Sequence, residues 1–127
     1  MVIAADRKQA RVIMRYCLGL LKSVPMLRQL IEGEMRESIS LRNRVVLEVH
    51  SCNHKTTRGY SCAAICCDEL AYWASDEDSS SPDVEVLNAL RPSLSTIRGS
   101  MLLCASSPHA RRGALWDAYR KALQQGR

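Results

Sequence analysis

Asp68 and Glu69 close an apolar run, Ala63-Ala64-Ile65-Cys66-Cys67. An aspartate at the carboxyl end of a core strand is held rigidly enough to position a nucleotide-bound Mg²⁺. A glutamate beside it can orient and polarise an attacking water. This is a Walker B arrangement; taken alone, the same five letters and two acids also suit a buried strand that simply ends in two solvated carboxylates. Two other clusters invite a metal reading. Cys52, Cys62, Cys66 and Cys67 with His50 and His54 resemble zinc donors in type, but no C-x-x-C pair is present, and Cys66 and Cys67 in a strand point to opposite faces. Structural cysteines and no zinc are expected. Asp76, Glu77, Asp78, Asp83 and Glu85 could be drawn as a metal-dependent nuclease site, yet their serine-rich context reads as a solvated connector, with the last acids complementing a helix start.

The elements that must hold Asp68 and Glu69 follow from periodicity. Val2-Ile3-Ala4-Ala5 reads as a strand, and Asp6 with Gln9 three residues on reads as a capping box opening a helix. Apolar residues at Ala10, Ile13, Met14, Cys17, Leu20, Leu21 and Val24 mark one helix face up to about Pro25. A second short helix is expected through Met26, Leu27, Leu30 and Ile31, with Gly33 as its stop. Ser38 to Leu41 and Val45 to Val49 form a β-hairpin around Arg42-Asn43-Arg44. The continuous run before Asp68 suits a parallel strand buried on both faces. Ser81-Pro82 opens a helix through Leu87 and Leu90 that Pro92 closes. Met101 to Ala105 is a last apolar strand, and the final helix carries Leu115, Trp116, Tyr119, Ala122 and Leu123 on one face, expected to pack into the core. Alternating strands and helices mean an α/β fold with a mostly parallel sheet.

The chain has 127 residues, which suits one domain and excludes a two-domain enzyme within this length. With 46% hydrophobic and 24% charged residues it reads as an ordinary globular chain rather than a disordered or fibrous one. No apolar stretch approaches the roughly 18 residues a membrane span needs. Cysteines inside an apolar run, with no signal peptide, point to a reducing cytoplasm rather than a disulfide scaffold. A formal charge of +5 suits a polyanionic partner without identifying it. Arg111-Arg112, Arg120 and Lys121 could touch phosphates, although a solvated basic face is the simpler account.

The succession of Ile3 to Gln9-Ala10, the hairpin from Ile39 to Val49, Arg58-Gly59, Asp68-Glu69, and Ser106-Ser107-Pro108 resembles the ATPase domain of phage terminase large subunits, over nearly the whole chain. The resemblance implies an incomplete P-loop NTPase-like (ASCE-type) fold from a motor that drives double-stranded DNA into a procapsid. It implies Asp68 as the Mg²⁺-organising acid, acting through water, and Glu69 as the catalytic glutamate. Ser106 and Ser107 would be the coupling motif that senses the γ-phosphate. Thr is more usual at the second position, but the Ser107 hydroxyl keeps the hydrogen bond. Arg58 would be a trans-acting finger toward a neighbouring subunit's ATP, or a loop arginine paired with a surface acid. The implied cofactors are Mg²⁺ and ATP. The implied partners are DNA, the missing parts of the large subunit, the small subunit, the portal and a homo-oligomeric ring, in the host cytoplasm.

One required element is missing from these residues. Hydrolysis needs a phosphate cradle, G-x-x-x-x-G-K-[ST], and none of the six glycines is followed by Lys. The chain therefore reads as an internal fragment, lacking both the phosphate loop and the RNase H-like nuclease domain of the family, and inactive alone. In that class of sheet the strand feeding the phosphate loop lies beside the coupling-motif strand, so Met101 to Ala105 is expected to have an open edge. The alternative is a basic α/β nucleic-acid-binding or interaction module without catalysis, in which Asp68 and Glu69 are surface acids.

Overall fold

The computed structural model describes residues 1–52, 59–73 and 82–125. A single six-stranded sheet runs in the order β2-β3-β4-β1-β5-β6. Its central and right-hand strands are β4 (Val46–Ser51), β1 (Val2–Ala4), β5 (Ala64–Asp68) and β6 (Met101–Ala105), all parallel. The antiparallel extension is β3 (Ser38–Leu41) and β2 (Ile31–Glu34). Parallel pairing aligns the carboxyl ends of β1, β4, β5 and β6 along one edge, and Asp68 stands at that edge opposite Ala105. The α/β class with a mostly parallel sheet, expected from the alternation of patterns, is the fold seen.

Two apolar layers cover the sheet's faces. Helix α1 (Arg7–Ser23) starts where the Asp6 carboxylate accepts from the Gln9 amide at 2.9 Å. It lays Ala10 and Met14 on Val2, Ala4, Ile39, Leu41 and Val49. On the other face, helix α3 (Pro82–Leu94) packs Val86, Leu87 and Leu90 against Ile3, Ile65, Cys67, Leu70 and Trp73. The alternation inside β5 explains this division, since Ile65 and Cys67 join the α3 layer while Cys66 borders the α1 layer.

Several elements depart from the sequence expectation. The second helix, α2 (Pro25–Arg28), ends one turn after it begins. Ile31 and Gly33 instead belong to β2, which pairs with β3 and shifts register between them. Spacing alone favoured a helix there; the free edge of β3 offered a ladder of backbone bonds, anchored by the Arg42 amide donating to Leu30 O at 2.8 Å. Pro92 does not close α3. It lies inside the helix, which runs on to Leu94. Ser93 and Ser95 hydroxyls take up the Leu90 and Pro92 carbonyls at 2.6 and 2.7 Å, so the last turn stays satisfied. Helix α4 (Gly113–Gln125) is present, but its apolar face is not core: Tyr119 is 54% and Leu123 is 55% exposed, and no residue of α4 is fully buried.

A candidate active site at the sheet's carboxyl edge

The open edge of the parallel strands brings together four of the five residues singled out in the sequence. Asp68 is the last residue of β5, and Glu69 follows in the left-handed conformation, φ 50°. That backbone region is costly for a residue with a Cβ, by about 1–3 kcal/mol, and persists only where neighbours hold it. Here the neighbours are on the adjacent strand's exit. The Ser107 amide donates to Glu69 Oε2 at 3.2 Å, with the Ser106 hydroxyl at 3.4 Å from the same oxygen and the Ser107 hydroxyl at 3.5 Å from Oε1. Both carboxylate oxygens are therefore turned toward the end of β6.

Ser106 also ties the site to the turn that follows. Its Oγ accepts from the Ala71 amide at 3.0 Å, inside the short 3-10 turn Leu70–Tyr72 that continues from Glu69. The buried indole of Trp73 donates to the Asp68 carbonyl at 2.9 Å. The backbone on both sides of Glu69 is thus fixed by β6 and by the core.

Asp68 is held from a different direction. Its Oδ2 accepts from Gln9 Nε2 at 3.2 Å, and its Oδ1 makes no hydrogen bond among the described residues. Gln9 was legible in the sequence as half of a capping box, and its backbone amide does cap on Asp6. Its side chain goes instead to Asp68, joining the first turn of α1 to the carboxyl end of β5. Spacing to Asp6 hid that role, because one residue position carried two signals. A single carboxylate with a free oxygen fits the way Mg²⁺ is usually held, by one or two carboxylates and several waters. Among the described residues, no group of three or more His, Cys, Asp or Glu side chains is arranged to hold a metal by itself.

Arg58 lies outside the described residues, as do His54 and the acidic stretch Asp76-Glu77-Asp78. The basic pair Arg111 and Arg112 is exposed just beyond the site, with the Arg111 guanidinium 5.8 Å from the centre of the Trp116 ring. Trp116 in turn lies 5.7 Å from Tyr119, so these two rings form a half-open surface rather than a core layer. The Tyr72 and His109 rings lie 4.6 Å apart, centre to centre, in a tilted arrangement. Arg120 and Lys121 are exposed further along α4.

A second polar cluster lies beside β4. His50 Nε2 and Glu48 Oε2 are 3.2 Å apart, and the Tyr60 ring meets His50 edge-on at 5.2 Å. Burial, with the Glu48 carboxylate beside it, pushes the Tyr60 hydroxyl above its ordinary value. Arg7, Arg36 and Glu37 complete the walls of an open cleft of about 450 Å³. Arg7 and Arg11 both reach Glu37, at 3.5 and 3.4 Å, so two guanidiniums share one carboxylate at the cleft's wall.

The fold is similar to that of a solved protein, the HK97 bacteriophage large terminase, with a TM-score of 0.74 and 17% sequence identity. The match covers 98% of this chain and 26% of that one, so the chain spans about a quarter of that protein's length. At this identity the likeness is one of fold. No protein-family model and no curated protein sequence matches the chain.

Proposed function

We propose that these residues are part of the ATP-hydrolysing motor of a terminase-like protein that moves double-stranded DNA. The observation that carries this reading is the grip of Ser106 and Ser107 on the Glu69 carboxylate, one residue from Asp68, at the carboxyl edge of a parallel sheet. Two surface acids at a strand end have no need of a left-handed backbone or of a neighbouring strand to hold them. The terminase-like fold supports the same reading.

In this proposal Asp68, steadied by Gln9, takes an ATP-bound Mg²⁺ through water. Bound there, the ion would supply charge neutralisation at the phosphates. Ser106 and Ser107 answer to the γ-phosphate: a phosphate oxygen competes for their hydroxyls and amide, and Glu69 is released to orient a water. The short path from Ser106 to the Ala71 amide carries that change into the 3-10 turn. Arg58 is assigned to the phosphates of a neighbouring subunit, and Arg111 and Arg112 to the DNA backbone. The P-loop that must cradle the β- and γ-phosphates is absent from these 127 residues. We therefore assign it, with the nuclease domain, the small subunit, the portal and a ring of further copies, to the assembly in which the chain works.

Phosphate release from Mg²⁺-ATP, with and without linear duplex DNA, tests the reading. The chain alone should show no turnover. Supplied with a phosphate-loop segment upstream of Met1, it should gain DNA-stimulated hydrolysis that Glu69→Gln lowers by about a hundredfold or more. A folded, reconstituted sample that binds DNA yet never turns over would make it a basic binding module instead.

A further inference from the structure

On the sheet face turned away from α1, the β5–β6 ladder places Cys67 directly beside Cys104. Cys67 is 2% exposed, within the α3-facing core, whereas Cys104 lies open to solvent on the outermost strand. The register sets the two residues at facing positions of adjacent parallel strands, so their side chains leave the same face of the sheet. Facing residues on neighbouring strands lie about 4.8 Å apart, within the roughly 4.4–6.8 Å Cα separation that a disulfide accepts. We infer that Cys67 and Cys104 form a reversible disulfide between β5 and β6 when the chain meets a small-molecule disulfide such as oxidised glutathione.

Exposure sets the order of events. The Cys104 thiolate attacks one sulfur of oxidised glutathione, breaking its S–S bond and expelling one glutathione thiolate. Cys67, its proton passed to solvent, then attacks the Cys104 sulfur of this mixed disulfide and expels the second glutathione. The two cysteines lose two electrons and two protons, and one oxidised glutathione becomes two reduced ones. To close the bond the Cβ atoms must approach to about 3.8 Å, nearer than the sheet spacing, so the bridge is strained and readily reduced again. It would fix the separation of the two strands immediately below the Glu69–Ser107 contact.

The surroundings of both sulfurs set the pace. Burial pushes the Cys67 thiol far above its ordinary value, with Cys104 and Cys66 adding to the effect and the Met1 amino group opposing it. Burial also raises Cys104, Cys66 adds to this, and the Cys67 hydrogen bond and the Arg91 guanidinium on α3 pull it back. Only thiolate reacts, and the exposed Cys104 is the sulfur that an external disulfide reaches first.

The experiment treats the whole folded chain with oxidised glutathione and maps its disulfides by mass spectrometry without reduction. An intramolecular Cys67–Cys104 bond, reversed by dithiothreitol, is the expected product. Cys67→Ser should stop at a glutathione adduct on Cys104. Cys104→Ser, at an exposed position that folding tolerates, should yield no bond to Cys67. A bond elsewhere, such as between Cys17 and Cys66, overturns the inference. So does a lasting Cys104 adduct in the unaltered chain, or thiols that stay untouched over the alkaline range.

Discussion

The two ends of the sheet are finished differently. At the β2-β3-β4 end, α1 and the antiparallel strands enclose Ile39, Leu41 and Val49, and the charges of Arg7, Arg11 and Glu37 are paired. At the β6 end, Met101 and Leu103 are 51% and 50% exposed on an edge strand with no charged side chain, whereas the opposite edge strand, β2, carries Glu32 and Glu34. Parallel sheets normally have both faces covered. The contrast separates what holds the fold from what the fold offers. The enclosed end secures β1 and β4, while the residues with candidate chemistry stand at the carboxyl ends of β5, which is core, and β6, which is mostly exposed.

Breaking the closed end should cost most. Ile39→Ala removes a fully buried side chain from the α1 layer and should lower unfolding free energy by about 2–5 kcal/mol in urea denaturation. Leu103→Ala, on the open strand, should cost under about 1 kcal/mol, so equal losses would show that the two ends do not differ. Gly113→Ala should fall between, at about 2 kcal/mol. Gly113 has φ 82°, and a methyl group there would run into the Asp83 carboxylate. Leu103→Lys should leave stability nearly unchanged while reducing concentration-dependent self-association in analytical ultracentrifugation, because a charge blunts an edge strand. An unaltered sedimentation profile from a self-associating parent would place the contact elsewhere.

The smallest effect concerns alkaline pH. The folded Cys67 and Cys104 thiols lie above their ordinary values, so the folded chain binds protons that the unfolded chain releases. Their contribution is fully present below the ordinary thiol value of 9.0 and declines as pH rises past it. Thermal melts from pH 7 to 10 should therefore drift downward only above about 9, and Cys67→Ala should reduce that drift. A slope of equal size in the variant would assign it to the other raised thiols, Cys17 and Cys52.

Much of this contrast is legible in the amino-acid sequence. Asp6 and Gln9 marked the start of α1, and unbroken apolar runs marked β5 and β6. The order of motifs placed Asp68, Glu69, Ser106 and Ser107 in one site, and they do meet. The same patterns failed where a partner in space outweighed local spacing. Ile31 and Gly33 suited a helix until β3 supplied a ladder. Tyr119 and Leu123 have the period of a core face, but period tells only that a face is apolar, not whether anything covers it. Gln9 was masked because its amide and its side chain serve different ends.

One contact near the start of α4 has a mechanical meaning. Asp83, in the first turn of α3, is buried and accepts from the Ala114 amide at 2.6 Å, while Gly113 leaves room for its carboxylate. Beyond that turn, α4 is exposed along most of its length. The helix is mounted like a boom, its near end held by α3 and by the 3-10 turn Leu70–Tyr72 and its far end exposed, with no brace among the described residues. A load applied at Tyr119 or Leu123 would have a long arm about Asp83, and would be delivered to the layer of side chains lying under β5.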